Sequence, residues 1–349
     1  MLLVNNVSLG AATPPQFRHA EWTGAVHLAD LVFPWFLFIV GVAIPFALAS
    51  HRRKGLPVWR YDLKALARAV SLFLLGLLVD STLARTPVFG LGVLQIIGLA
   101  YLVGALFADL ALGHRLLVAG LFLAAHGAAL RFVPVPGVGV AGRFTPDENL
   151  VAYLNTAYLA PLHLSGLVSV VPTSALVLLG TAAGDALRRE GFGLLHRLAA
   201  LLLGGLFLVL LGLVWSRDLP MNKPLWTAPY ILYTAGLASI TLGLLYLFID
   251  VGPQTKKRWW GWWALPLVVP GTNPIVAYVA PILVKVNVLQ TWTWQMPGGG
   301  RLPLEQALQH ASYGWLGRVP GGWFYTLVYV GVWWLVLLWL YRKRIFLRV

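Results

Sequence analysis

FRHAEWTGAVHLADLVFPWFLFIVG, residues Phe17–Gly41, joins a polar, histidine-bearing segment directly to an apolar run that continues to Ser50. The apolar part, Asp30–Ser50, is long enough to cross a bilayer, which takes about 20 residues at 1.5 Å each. Two prolines, Pro34 and Pro45, interrupt it. In lipid, the carbonyls that proline frees must face protein or a cavity. The stretch therefore reads as a spanning helix that belongs to a bundle.

Working outward, eight more apolar runs follow: Leu63–Thr82, Gly90–Leu110, His114–Val133, Gly166–Leu187, Leu194–Trp215, Ala228–Asp250, Gly261–Val286 and Trp323–Tyr341. Met1–Gly10 is too short to cross. It reads as the outer end of a truncated first helix, or else as a short re-entrant start. The expected fold is all-α, a polytopic transmembrane helix bundle of about ten spans. It forms one domain over 1–349, with 1–26 a partial first helix and outer loop and 27–349 a nine-span helical core.

Composition agrees. Of 349 residues, 59% are hydrophobic and 11% charged, against about 25% charged in soluble domains. Mean hydropathy is +0.76. Lipid must cover such a chain. With no cysteine, disulfides, thiolate nucleophiles and Cys-type zinc sites are excluded. The eight histidines are scattered without acidic partners at ligand spacing, so no metal is expected. The net charge of +14 is not gathered into a basic domain, which argues against nucleic acid.

The basic clusters give an orientation. With the loop after Ser50 inside and strict alternation, 17 of the 26 Lys and Arg fall inside, together with the C-terminus. His19 then lies outside. Two outer segments, Arg131–Ser165 and Asn287–Gly322, are long enough to carry function or to lie as aromatic-anchored interfacial helices. The chain's compactness suits a bacterial cytoplasmic membrane. Gly totals 36, which is compatible with a homodimer through small-residue helix faces.

An imidazole titrates near neutrality and can act as a general base, which makes His19 a candidate and His27 a weaker one. Asp30 has two readings, an N-cap accepting from Val32 or Phe33 and an intramembrane carboxylate of the kind found at functional sites. His126, inside a span, reads as packing.

His19–Gly24 (HAEWTG) and Ala29–Gly41 (ADLVFPWFLFIVG) resemble the signature of the heparan-α-glucosaminide N-acetyltransferase family. Gly92–Gln95, Leu219–Thr227 (LPMNKPLWT) and Pro270–Pro274 (PGTNP) follow in that family's order. The resemblance implies a multi-spanning acyltransferase that takes acetyl from cytoplasmic acetyl-CoA and delivers it to an amine, or a hydroxyl, of an extracytoplasmic sugar or glycan. It implies His19 and Asn5 as catalytic. Chemically, the Asn5 amide can donate to the developing oxyanion, and Asp30 can orient His19. Direct transfer and an acetyl-His intermediate both remain open.

Trp22, Gln95, Asn222, Lys223 and Asn273 are expected around the acceptor. For each a structural role competes: an interhelical hydrogen bond for Gln95, a turn with a snorkelling lysine for Asn222 and Lys223, a satisfied kink for Asn273. The phosphates of CoA need cations, and the inner groups Arg52, Arg53, Lys54 and Lys256, Lys257, Arg258 are candidates, against a purely topological role. The rival function is a transporter or flippase for an envelope precursor. Kinked helices suit both, but no inverted repeat is visible.

Overall fold

A computed structural model of the chain describes residues 1–22, 26–251, 257–296 and 300–347, and the side chains of 257–263 lie outside the description. Helix dominates. Among the described residues, seven helices are long and apolar enough to cross a membrane. They are α1 (Leu28–Arg53), α2 (Val58–Ala84), α4 (Leu112–Phe132), α6 (Val170–Arg188, preceded by a turn from Leu167), α7 (Leu194–Trp215), α8 (Ala228–Leu245, extended by a wide turn to Val251) and α12 (Arg318–Arg342). Between them stand the short α3 (Val93–Leu106), α5 (Leu150–Leu154), α9 (Lys257–Thr272), α10 (Pro274–Val284) and α11 (Leu304–Leu316). The only strands among the described residues are the paired Thr293–Gln295 and Arg301–Pro303.

The sequence gives nine runs, and the helices divide them differently. The run Gly90–Leu110 yields only the 14 residues of α3, about 21 Å of helix. The run Gly261–Val286 is broken: Ala264–Thr272 and Pro274–Leu289 meet at 78°, an eighth span if counted as one. Met1–Gly10 forms no helix end. It folds as tight turns at Val4–Asn6 and Gly10–Ala12. There the Asn6 amide donates to Leu2 O at 2.8 Å, a side-chain bond that competes with helix.

Two of the carbonyls that the prolines free have partners. Pro34 in α1 cannot bond the carbonyl of Asp30 four residues earlier, and the hydroxyl of Tyr230 in α8 donates to that oxygen at 2.6 Å. Pro270 likewise frees the carbonyl of Pro266, which accepts from Trp334 Nε1 at 3.2 Å.

Glycines set the closest helix pairs. A Cβ on Gly41 of α1 would collide with the carbonyl of Val177 in α6, and one on Gly180 with that of Phe38. Gly205 and Gly236 do the same for α7 and α8. Such contacts let backbones approach where lipid offers no hydrophobic drive. These glycine faces are thus used within the chain rather than presented to a second copy. Leu74, Leu117, Leu203, Phe207 and Leu335 are exposed on the bundle's outside, a surface that suits lipid.

The start of α12 lies beside the loop before α1, where Phe17 and Trp323 meet edge to face with centroids 5.7 Å apart. This is the His19 end of the bundle. Arg52 marks the opposite end, about 33 Å along α1 from Asp30 by helical rise.

Candidate active site

Asp30 is the pivot of the His19 end. It sits in the first turn of α1, 3% exposed. Its Oδ2 accepts the backbone N–H groups of Ala20 at 3.0 Å and His27 at 3.2 Å. The cap expected here runs the other way, since Asp30 holds the N–H of the residue before the helix rather than N–H groups ahead of it. Its Oδ1 accepts from His19 Nδ1 at 2.8 Å and from the Lys223 ammonium at 3.3 Å. A carboxylate can only accept, so Nδ1 carries the hydrogen and Nε2 is the basic nitrogen. Lys223 Nζ lies 3.1 Å from Nδ1 as well. Burial lowers the Lys223 pKa, and Asp30 restores part of it.

These groups open on a cavity of about 370 Å³. His19, Glu21, Lys223 and Asp30 line its polar side, and Trp22, Phe33 and Trp226 its apolar side. The loop carrying Lys223 is tied at many points. Asn222 Nδ2 donates to Trp22 O at 2.6 Å, and its Oδ1 accepts from Leu225 N at 2.8 Å. His126 donates from Nε2 to Leu225 O at 2.9 Å. Trp226 is held at φ +49°, a left-handed conformation that costs about 1–3 kcal/mol in a bulky residue. Its ring packs edge-on to Phe33 at 5.1 Å and to Tyr230 at 5.9 Å. The segment after α4 closes one side, where Trp22 Nε1 donates to Phe144 O.

The structure thus brings His19, Asp30, Lys223 and Trp22 to one cavity. Asn222 stands behind it, buried, with its amide bonded on both sides. Asn5, Gln95 and Asn273 are not among the residues lining the cavity. Asn5 is exposed on a turn whose neighbours dock on α11 and α12, through Ser8 N to Thr326 Oγ1 at 3.1 Å and Tyr313 OH to Ser8 O at 3.0 Å. Gln95 is fully buried against Gly76 and donates to Asp80 at 2.8 Å. Asn273 grips the tail beyond α12, donating to Ile345 O at 3.0 Å and accepting from Leu347 N at 2.9 Å. That places it at the opposite end, across the length of α12.

A second cavity, of about 250 Å³, lies at that opposite end. Arg52, Arg115 and Arg188 line it together with Asp109 and Asp185. Arg52 pairs with Asp109, and Arg115 with Asp185. Arg115 is 3% exposed, and its Nε has no partner. Arg53 and Lys54 are exposed outside this cleft. Lys256 lies outside the described residues, as do the side chains of Lys257 and Arg258. Among the described residues no group of His, Asp and Glu is placed to hold a metal.

Arg115 and Arg188 are among the 17 basic residues that the orientation places inside and were given no other role, and Glu21, Tyr230, Trp226, Asp109 and Asp185 were not singled out. The signal for the last two was available, because each acid lies near the end of an apolar run and close to a basic cluster.

Residues 12–212 match the family profile described as heparan-alpha-glucosaminide N-acetyltransferase, catalytic. The chain is also similar to heparan-alpha-glucosaminide N-acetyltransferase of Homo sapiens, 25% identical over 417 aligned positions that cover 100% of this chain and 58% of that protein. The Mus musculus protein of the same name is 24% identical over 412 positions, covering 100% of this chain and 59% of its own length. The chain therefore spans less than two thirds of the relatives it matches.

Proposed function

Because the chain belongs to the heparan-alpha-glucosaminide N-acetyltransferase catalytic family, we propose that it is a transmembrane enzyme that moves acetyl from acetyl-CoA on the cytoplasmic side to an amine or hydroxyl of a sugar or glycan on the other. The observation that carries this reading is the imidazole of His19. Its Nδ1 is fixed on a buried carboxylate, and its Nε2 is left for the cavity.

His19 works as the general base. It takes the proton from the acceptor atom as that atom bonds to the acetyl carbon, and returns the proton to sulfur as the C–S bond breaks. Such a base contributes about 10²–10⁴ in rate. Asp30 fixes the tautomer and stabilises the imidazolium that forms, the role the aspartate plays in a Ser-His-Asp triad. Lys223 balances the buried Asp30 charge, which unpaired would cost several kcal/mol.

Acetyl-CoA supplies an activated thioester. The cleft at the opposite end, where three arginines face two aspartates and a buried Arg115 Nε lacks a partner, suits first capture of the donor's phosphates. Arg52, Arg115 and Arg188 would hold them. Because the pantetheine arm is shorter than the roughly 33 Å from Arg52 to Asp30, the donor must move inward before its thioester meets His19. Between the two cavities α1 is sealed on α6 at Gly41 and Gly180, with Leu37, Phe38 and Leu176 fully buried. Turnover then needs this seam to open. Pro34 and Pro45 mark where α1 lacks helical hydrogen bonds and can bend.

Vesicles loaded inside with acetyl-labelled CoA provide the test. The wild-type protein should label an acceptor added outside, and His19→Ala should not. Full labelling by His19→Ala would overturn the chemistry. Label crossing only as part of an intact molecule would make the protein a transporter.

A further inference from the structure

His126 is a polar side chain inside a spanning helix, and the chemistry above gives it no role. It sits in α4, about 9 Å from the outer end by helical rise, and is 6% exposed. A polar group at that depth is costly unless it is bonded. His126 is not among the residues lining the His19 cavity. Its Nε2 instead reaches Leu225 O at 2.9 Å, across 99 positions of sequence.

Leu225 O needs that donor. Pro229, four residues on, has no N–H to offer it, and Trp226 directly after it turns left-handed at φ +49°. The imidazole supplies here what Tyr230 supplies to Asp30 O and Trp334 to Pro266 O. Leu225 is held on its other side as well, where its N–H donates to Asn222 Oδ1 at 2.8 Å. Around this bond α4 is fitted closely to the same segment. A Cβ on Gly127 would stand 3.2 Å from the Trp215 ring and 3.8 Å from Ala228, and Arg131 Nε donates to Asp218 Oδ1 at 3.1 Å. The clamped peptide lies between two residues of the cavity wall, Lys223 on Asp30 and Trp226 against Phe33.

We propose that His126 is a positioning residue for the transfer. By holding the Leu225 peptide from behind, it keeps Lys223 on Asp30 and Trp226 against Phe33, so that the wall facing His19 stands ready for an acceptor. The inference rests on the His19 reading of the site and adds a group that touches neither substrate. The imidazole serves only as a hydrogen-bond donor, and no proton leaves it during turnover. Without it a buried carbonyl lacks a partner. The segment relieves that by rotating the peptide, and Lys223 and Trp226 move with it. A misplacement of about 1 Å at a reacting centre can cost about 10²-fold. The donor cleft, at the other end of α1, should not feel the change.

Glutamine and methionine side chains have similar length, but only glutamine carries an N–H that can reach Leu225 O. The test therefore compares wild type, His126→Gln, His126→Met and His19→Ala in vesicles loaded with acetyl-CoA, with glucosamine outside as the acceptor probe. Rates are taken per folded protein, from thermal unfolding in detergent. In His126→Met, kcat/KM for glucosamine should fall about 10–100-fold, with the KM for acetyl-CoA within about twofold of wild type. His126→Gln should stay within about threefold of wild type on both counts. If His126→Met does not fold, His126→Asn takes its place, because its shorter amide stops short of Leu225 O and should bring the same loss. A donor-less variant as active as wild type per folded protein, whatever its melting temperature, would overturn the proposal. So would equal losses in the glutamine variant and the donor-less one, or a loss confined to the acetyl-CoA KM. Full turnover by His19→Ala would sink the base itself. Its inactivity beside a fully active His126→Met would sink His126 alone.

Discussion

The two ends of α1 handle charge in opposite ways. At the His19 end one buried carboxylate gathers four donors, and two of them are backbone N–H groups. The geometry is set by the chain itself, and the imidazole can only rotate within it. At the opposite end arginine and aspartate side chains pair with one another across helices, Arg52 with Asp109 and Arg115 with Asp185. Those pairs are exchangeable, because an arriving anion can replace an aspartate as the partner of an arginine. A rigid site suits bond making, and an exchangeable one suits capture of a charged donor.

His19→Ala should show the largest effect at the rigid end. Transfer should drop about 10³-fold, within the span expected of a general base, while the detergent-purified protein keeps its melting temperature. The ring is two-thirds exposed and supports little packing. A coincident loss of fold would mean that His19 holds the structure together rather than doing chemistry.

Asp30→Asn comes next and should damage both properties. The amide leaves Lys223 without a counter-charge and offers His19 the wrong hydrogen-bond pattern. Activity should fall about 10²-fold or more. Thermal unfolding should move down by an amount matching about 3–5 kcal/mol, the cost of breaking a buried pair. An unchanged melting curve would show that the carboxylate is not the pivot of this end.

Arg188→Gln tests the exchangeable end. Arg188 lies 3.7 Å from Asp185 and is partly exposed, so the fold should tolerate its loss. The KM for acetyl-CoA should rise about tenfold, or about 1.4 kcal/mol, with the acceptor KM unchanged. Arg115→Gln should do more, because Arg115 is buried. A rise in the acceptor KM instead would place the donor elsewhere.

The contrast also explains what could be read in the sequence. His19, Asp30 and Lys223 were singled out because each is polar beside an apolar run and lies in a block that resembles the family's, and the structure brings all three to one cavity. Asn273 was misplaced because a break inside an apolar run was read as mid-membrane. Periodicity carries no information about a 78° turn, which moves the break to the bundle's end. Asn5 was misplaced because Val4–Asn6 was read as helix, and the competing bond from Asn6 to Leu2 is not visible in hydropathy. Arg115 and Asp185 lie 70 positions apart, so their pairing follows from helix packing alone.

Lys223→Arg should have the smallest effect and bears on how the rigid end is charged. Burial lowers the lysine's pKa, so its ammonium deprotonates below the usual lysine range. As pH rises through that value, Asp30 loses its counter-charge and activity should fall. Stability should move the other way. In the window between the lowered folded value and the ordinary unfolded one, the unfolded chain binds the extra proton, so stability rises with pH. Alkaline unfolding would drag both down together, and the opposed slopes therefore identify Lys223 as the titrating group. An arginine stays charged throughout. Lys223→Arg should consequently shift the alkaline limb of kcat/KM upward and flatten the stability slope, whatever its effect on the maximal rate. If the limb stays where it is in the variant, another group limits activity at high pH, and Lys223 serves only to tether its loop to Asp30.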